Sequence, residues 1–467
     1  MFYNDGNLFD EDLMDEQLTA EPKVQTELAA TSEPVSKAVQ TLYVNQLTNG
    51  VLNPAEPFLG PLKDGGTIIA NVAPGGWGAM TNPTIRGSLE VTVPVHIEGA
   101  QVGDAIAVEI RAIDVTSEAA TSGTAEAQLD RFIGDALLKA KCPGCGKLHP
   151  TTIVEGIGRD AVKCTTCQTS AAPLTIAHGY TAVFHERENV ALTVSKEGAR
   201  KAALNADKLM HLPDDSVQHP SAAFGVADMA GVLARVRPFI GELGTMPSKT
   251  MPASYNARDA ERKLLEAQHE FYLTKQDLSE HCTDGHLQVN TLREGAIILC
   301  PVKVDGAGLY LGDIRMMQGA GNPARQTASV AGIVQLRVTV VKKMNLQGPI
   351  ILPRFEDLPH LAVPFTREER KAGRDLAEDY DVKQIEESYP ITIVGTGANL
   401  NDAVTTAVKR ASTLLSLEAD EIRNRATIAG DLSIARMPGA VTLTAQFPKS
   451  VLKKAKLYKW AKKQYDV

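Results

Sequence analysis

No stretch of this chain approaches eighteen uninterrupted apolar residues, which excludes a long apolar membrane-spanning helix. A basic surplus is missing too. Lys and Arg number 48 against 56 Asp and Glu, a net charge of −8, so nucleic acid is not an expected partner, because phosphate contacts need a basic footprint. Aromatic side chains are scarce at 5%, while Gly, Ala, Val and Thr are plentiful, a balance that suits a strand-rich chain with many turns. The first residues, Met1-Phe-Tyr-Asn-Asp-Gly-Asn7, lack the basic start and apolar run of a secretory leader. With only six cysteines, a dense disulfide framework is not expected either. A cytoplasmic protein is the expectation, and 467 residues lead one to expect two or three domains.

What is present starts with the cysteines. Four of them fall in two pairs, Cys142-Pro-Gly-Cys145 and Cys164-Thr-Thr-Cys167, separated by residues 146–163. Each pair makes a tight turn that aims two thiolates at one point, and two such turns complete a tetrahedral four-sulfur shell. The spacing predicts a structural Zn2+ on Cys142, Cys145, Cys164 and Cys167. A closed shell leaves no position for water or substrate, so chemistry must be sought elsewhere. Cys300 lies inside an apolar run and is expected to be a buried hydrophobe.

Along the chain, residues 1–40 form an acidic arm in which nine carboxylates, Asp5 to Glu33, face only Lys23 and Lys37. Such composition predicts a solvated, flexible segment, with docking onto a Lys-rich C-terminal face (Lys449 to Lys463) as the alternative. Residues 41–135 read as an N-terminal β part, with strands expected at Thr67–Val72, Leu89–Ile97 and Ala105–Ile113. Residues 136–175 are the zinc-ribbon insertion, and 176–345 a β-rich core. Within that core, Ala257–Leu273 has the periodicity of one helix, while Glu294–Val304 and Gly332–Val341 alternate as strands. Residues 346–467 read as an α+β part, with helices at Asn399–Leu415 and Leu417–Ala429 between strands Tyr389–Val394 and Val441–Phe447. The glycine-rich Pro74-Gly-Gly-Trp77-Gly lacks the Gly-Lys-Ser/Thr ending of a phosphate loop, though Trp77 there is a candidate pocket wall.

Four stretches resemble the acetamidase/formamidase family. They are Pro94-Val-His-Ile-Glu-Gly-Ala-Gln-Val-Gly-Asp104, Pro238-Phe-Ile-Gly-Glu-Leu-Gly-Thr-Met-Pro247, Leu311-Gly-Asp-Ile-Arg-Met-Met-Gln-Gly-Ala-Gly321 and Ala426–Met437 running on to Thr444–Lys449. Each is short, but four in the right order are hard to obtain by chance. The resemblance implies a mainly β fold with α+β elements: a β-sandwich body joined to C-terminal α+β elements, often as a homo-oligomer. It also implies hydrolysis of a small linear amide to carboxylate and ammonia. The zinc ribbon and the acidic arm lie outside the common pattern and mark a divergent branch.

The chemistry departs as well. Where the family has His, this chain has Arg315, and second acidic positions are Ala320 and Asn322. The stretch Asp284-Gly-His-Leu-Gln288 resembles the family's Gly-Gly-Asn-Met-Asp, so Asn becomes His286 and Asp becomes Gln288. Amide hydrolysis needs a base, an acid and donors for the oxyanion. Arg315 stays protonated and Gln288 cannot titrate. The candidate site is therefore His286, Asp313, Arg315 and Gln318, with Asp313 and Arg315 alternating along an extended segment so that both face one cleft. A second cluster, His281, Cys282, Asp284 and His286, suits a catalytic metal or a Cys–His pair, and a second metal stays open. Two readings follow: an amidase-like hydrolase with an altered site, or a scaffold that has lost hydrolysis and uses its ribbon and arm for contacts.

Overall fold

The computed structural model describes residues 39–75, 82–158, 160–185, 187–266 and 269–466. Nearly all of the acidic arm, and Gly76, Trp77 and Gly78, lie outside the described residues.

A nine-stranded sheet organises the chain. Its strands run in the order Thr41–Val44, Thr67–Val72, Gly332–Val341, Ala105–Val115, Ile297–Pro301, Ile350–Leu352, Ser388–Thr396, Ala440–Pro448 and Gly430–Ile434. All neighbours are antiparallel except the first pair, which is parallel. The period of two shows on Gly332–Val341, where Val334, Leu336 and Val338 are buried and Ile333, Gln335 and Arg337 are exposed.

The central strands are apolar on both sides, because both faces are covered. Along Ile297–Pro301, Ile298 and Cys300 enter one core, and Ile297 and Leu299 enter the other. Ile350–Leu352 and the start of Ala105–Val115 divide in the same way. The first core joins the sheet to the β-rich body. The second lies under the helices Leu400–Leu415, Lys449–Lys454 and Tyr458–Tyr465, which contribute Ala403, Ala407, Leu452 and Trp460. Fully burying one Ile or Leu stabilises by about 1.5–3 kcal/mol, so each face is a large contribution.

Smaller sheets complete the body. One joins Ala119–Ala127, Leu174–His185, Val190–Thr193 and Leu233–Arg235; another joins Phe239–Gly244, Tyr310–Arg315 and Ser329–Val330. The mainly β character with helical elements is as expected. Cys300 is fully buried. None of the described helices is long and apolar enough to cross a membrane.

Two expected elements differ. Ala257–Leu273 is not one helix: a 3-10 turn covers Arg258–Ala260 and an α-helix Glu261–Glu266. A new helix, Lys275–His281, starts at Thr274, whose hydroxyl and Asp277 form a capping box. The cap requires extended backbone at Thr274, and Leu264, Phe271 and Leu273 meet in one small core instead of lining one helix face. Leu89–Ile97 is a strand only over Val95–Ile97, with a single bridge at Thr92 before it. Pro94 has no N–H to continue a ladder.

Candidate functional site

The three-stranded sheet presents Asp313 and Arg315. In its register Phe239 lies opposite Arg315 and Glu242 opposite Gly312. Glu242 also bridges to His286 on its other side. Asp313 takes a left-handed φ of 54°, a conformation that costs a non-glycine residue about 1–2 kcal/mol. Its carboxylate repays that strain with contacts. Arg315 Nε donates to Oδ2 at 2.6 Å, Ser329 Oγ donates to Oδ1 at 2.9 Å, and His286 Nε2 lies 3.7 Å from Oδ2. Gly75 and Gly241 pack directly on this carboxylate, and a Cβ on either would collide with it.

The other candidates join the same row. Arg315 Nη1 donates to Gln318 Oε1 at 3.3 Å, and Gln318 Nε2 donates to the Gln288 carbonyl at 3.0 Å. Gln288 places its carboxamide 2.9 Å from His286 Nε2, and Asn322 Nδ2 donates to Gln288 Oε1 at 3.3 Å. The structure thus brings His286, Asp313, Arg315 and Gln318 together. Two of the replaced family positions, Gln288 and Asn322, touch each other.

Electrostatics assign roles within the row. Arg436 places Nη1 at 2.6 Å from His286 Nδ1 and pairs with Asp259 through its Nε at 2.7 Å. Ser254 O lies 2.9 Å from the same Nδ1, and Gln288 Nε2 lies 2.9 Å from Nε2, so both ring nitrogens are engaged. Burial and then the Arg436 charge push the His286 pKa down to about 4, and the ring is neutral at pH 7. Burial opposes the charge on Asp313, but Arg315 and His286 outweigh it and hold the carboxyl well below the usual range.

Glu242 behaves in the opposite way. It is fully buried, and neither carboxyl oxygen has a hydrogen-bond partner. Burial first, and then the Asp313 charge, raise its pKa to about 8. Arg315 and Arg436 are already matched by Asp313 and Asp259, so a further negative charge would be unbalanced. Glu242 therefore carries a proton at neutral pH. Its signal was present in the sequence as one acidic residue within the otherwise apolar Phe239–Gly244.

A cavity of about 270 Å3 is lined by Gln288 but not by His286, Asp313, Arg315, Gln318 or Glu242. Gln288, Asn290, Gly319, Gly321, Asp431 and Ser433 are among its lining residues. Gln288 forms part of the wall and touches His286 behind it. Ala320 lines it too, where the resemblance has an acidic residue.

The second cluster does not form a metal-type group, although Cys282 Sγ lies 3.7 Å from Asp284 Oδ1. His281 is partly exposed and its Nδ1 lies 2.9 Å from Ser248 Oγ. Cys282 is buried, and burial and Asp284 push its thiol up to about 12, so it is no nucleophile. Asp284 is taken up by an ion pair with Arg410 and by Thr396 Oγ1 at 3.1 Å. The metal-type cluster among the described residues is instead the four cysteines, whose sulfurs all lie within 4.8 Å of one another. Cys142 and Cys167 Sγ are 3.3 Å apart, and Cys145 and Cys164 Sγ 3.9 Å. Tetrahedral zinc with Zn–S bonds of about 2.3 Å needs sulfurs about 3.8 Å apart, so these donors fit.

The fold is strand-rich with helical elements. The acetamidase/formamidase family model matches residues 78–453, and the chain belongs to that family. A predicted acetamidase/formamidase from the thermophile Thermoanaerobacter tengcongensis is similar in structure, with 15% identity and a TM-score of 0.50 over 90% of this chain and 98% of that one. An acetamidase from Bacillus halodurans shows 16% identity and a TM-score of 0.49 over 89% and 98% of the two chains. One from Yersinia enterocolitica shows 14% and 0.48 over 89% and 94%. No match was found among curated proteins. Membership of the family supports an amidase-type hydrolase.

Proposed function

We propose that this chain hydrolyses the C–N bond of a small linear amide or a related compound, releasing ammonia and a carboxylate. The observation that carries the reading is the grouping of buried His286, Asp313 and Arg315 with half-buried Gln318, next to Gln288 of the cavity wall. Arg315 and Gln318 supply N–H donors suited to a carbonyl oxygen on which negative charge develops. Asp313 fixes Arg315, and the neutral His286 ring packs beside it with Nε2 3.7 Å from the carboxylate. Glu242 is the group whose proton affinity matches neutral pH. Its ionised fraction, a minority at neutral pH, takes a proton from the attacking water, and the acid so formed returns that proton to the leaving nitrogen.

A second reading has its own support. Asp313 and Glu242 have no exposed surface, and Arg315 is only 2% exposed. A scaffold that has lost hydrolysis would tolerate such closure, whereas an enzyme must open Gln288 to admit substrate. Ammonia release across small amides, ureas and guanidines separates the readings, with Asp313→Asn and His286→Ala as controls. Release by the natural chain that both substitutions abolish supports the hydrolase. No release above blank for any compound rejects it for that panel.

For the four cysteines we propose a structural Zn2+. Their preorganised sulfurs support this reading, as does the small apolar cluster around them, Cys142, Cys164 and Ala171. Four thiolates would more than balance the charge of the ion and close its shell, leaving it no part in hydrolysis.

A further inference from the structure

The ribbon contacts the body at a place that leads to Asp313. Its strand Thr152–Val154 pairs with Val162–Cys164, and the first cysteine turn carries the segment just before it: Cys142 N donates to Lys147 O at 2.9 Å, and His149 N to Ala140 O at 2.9 Å. From this segment Thr152 Oγ1 donates to Asn82 Oδ1 at 3.2 Å and lies 3.2 Å from His219 Nε2. Thr84 Oγ1 donates to Pro150 O at 3.0 Å, and His149 Nδ1 lies 3.2 Å from Pro83 O. Asn82 in turn bonds Val217 O.

The next link is buried. Gln218, beside His219, is 5% exposed and donates from Nε2 to Pro74 O at 2.8 Å and to Glu90 Oε2 at 2.8 Å. Glu90 also accepts from Ser216 Oγ at 2.6 Å and from Val217 N at 2.8 Å, which fixes the 216–218 segment. After Pro74 comes Gly75, the glycine pressed on the Asp313 carboxylate. Two hydrogen-bonded steps therefore separate the ribbon from the charged row.

We propose that the metal-loaded four-cysteine module is a positioning element of the hydrolytic site, acting through Thr152, the 217–219 segment and Pro74–Gly75 on Asp313. The physical reason is that residues 136–175 hold too little apolar surface of their own. The cluster at the knuckles comprises only Cys142, Cys164 and Ala171, while Leu138, Val162 and Ala172 pack against residues of the body, so the metal is what holds the two knuckles together around His149 and Thr152. Losing the ion frees Thr152, then the 217–219 segment, and then the cover on Asp313. The proposal rests on the hydrolase reading for its kinetic arm alone.

The test uses the full chain, with bound zinc measured per chain. Amide hydrogen exchange is followed in peptides covering 136–175, 215–220 and 310–316, before and after chelation and after zinc is returned. We expect faster exchange in all three, reversed by zinc. Thr152→Val should keep its zinc, raise exchange at 215–220 and 310–316, and lower kcat for amide hydrolysis by about tenfold or more with a smaller change in KM. Changes confined to 136–175 in both experiments would overturn the proposal, as would a chain that binds no zinc. Exchange decides the matter even if no amide is hydrolysed, so failure of the hydrolase reading and failure of this one are separable.

Discussion

Asp313 combines a left-handed backbone, complete burial and a strong cationic partner, and the three features support one another. Removing its charge leaves Arg315 buried without compensation. Asp313→Asn is expected to destabilise the fold by about 3–5 kcal/mol and to abolish ammonia release, as read by urea unfolding and by assay. Unfolding at the natural midpoint would show that Arg315 is not held by this carboxylate. Glu242 makes a different prediction. Unfolded, its carboxyl ionises near the ordinary 4.5; folded, at about 8. Between those values the unfolded chain has lost a proton that the native one keeps, so stability falls as pH rises through the window. Glu242→Gln removes this dependence. Its unfolding free energy should gain on the natural chain from about pH 4.5 to about pH 8, by at most a few kcal/mol. Parallel pH profiles would mean that Glu242 is already ionised in the fold.

Elements with strong local codes were legible. Gly332–Val341 alternates cleanly and is a strand over those residues. Asn399 caps Leu400–Leu415 by accepting from Asp402 N, a helix start written in four consecutive residues. The Cys-x-x-Cys spacing likewise read directly as a site. Ala257–Leu273 misled because Leu264, Phe271 and Leu273 keep helical spacing while serving a compact cluster. The ribbon carries the prediction at this scale. Cys142→Ser should lower bound zinc from about one per chain toward none, as measured by metal analysis, because a three-thiolate remnant holds the ion far less tightly. Full zinc content in that variant would remove Cys142 from the ligand set.

At the scale of the molecule, one sheet serves two cores. Ile298 and Leu299 are neighbours in sequence yet face opposite layers. Changing either to Ala is expected to cost about 2–5 kcal/mol and to lower the same calorimetric transition, because the sheet between the layers cannot melt on one side alone. Two separate transitions, each shifted by one substitution, would show that the layers unfold independently.

By itself the sequence determined what depends on near neighbours: strands of alternating residues, capped helices, four cysteines at zinc spacing, and the ordered motifs that resemble the family. It also placed Asp313, Arg315 and Gln318 together, since a span of six residues keeps them close whatever the fold. Only the tertiary structure decided that Glu242 joins them. Its strand lies some seventy residues away, and the register opposite Gly312 sets its position. The same holds for Asp284, which looked like part of a metal cluster until Arg410, from a distant helix, claimed it. Charge balance in a buried site is a sum over groups from the whole chain, and no local pattern encodes that sum.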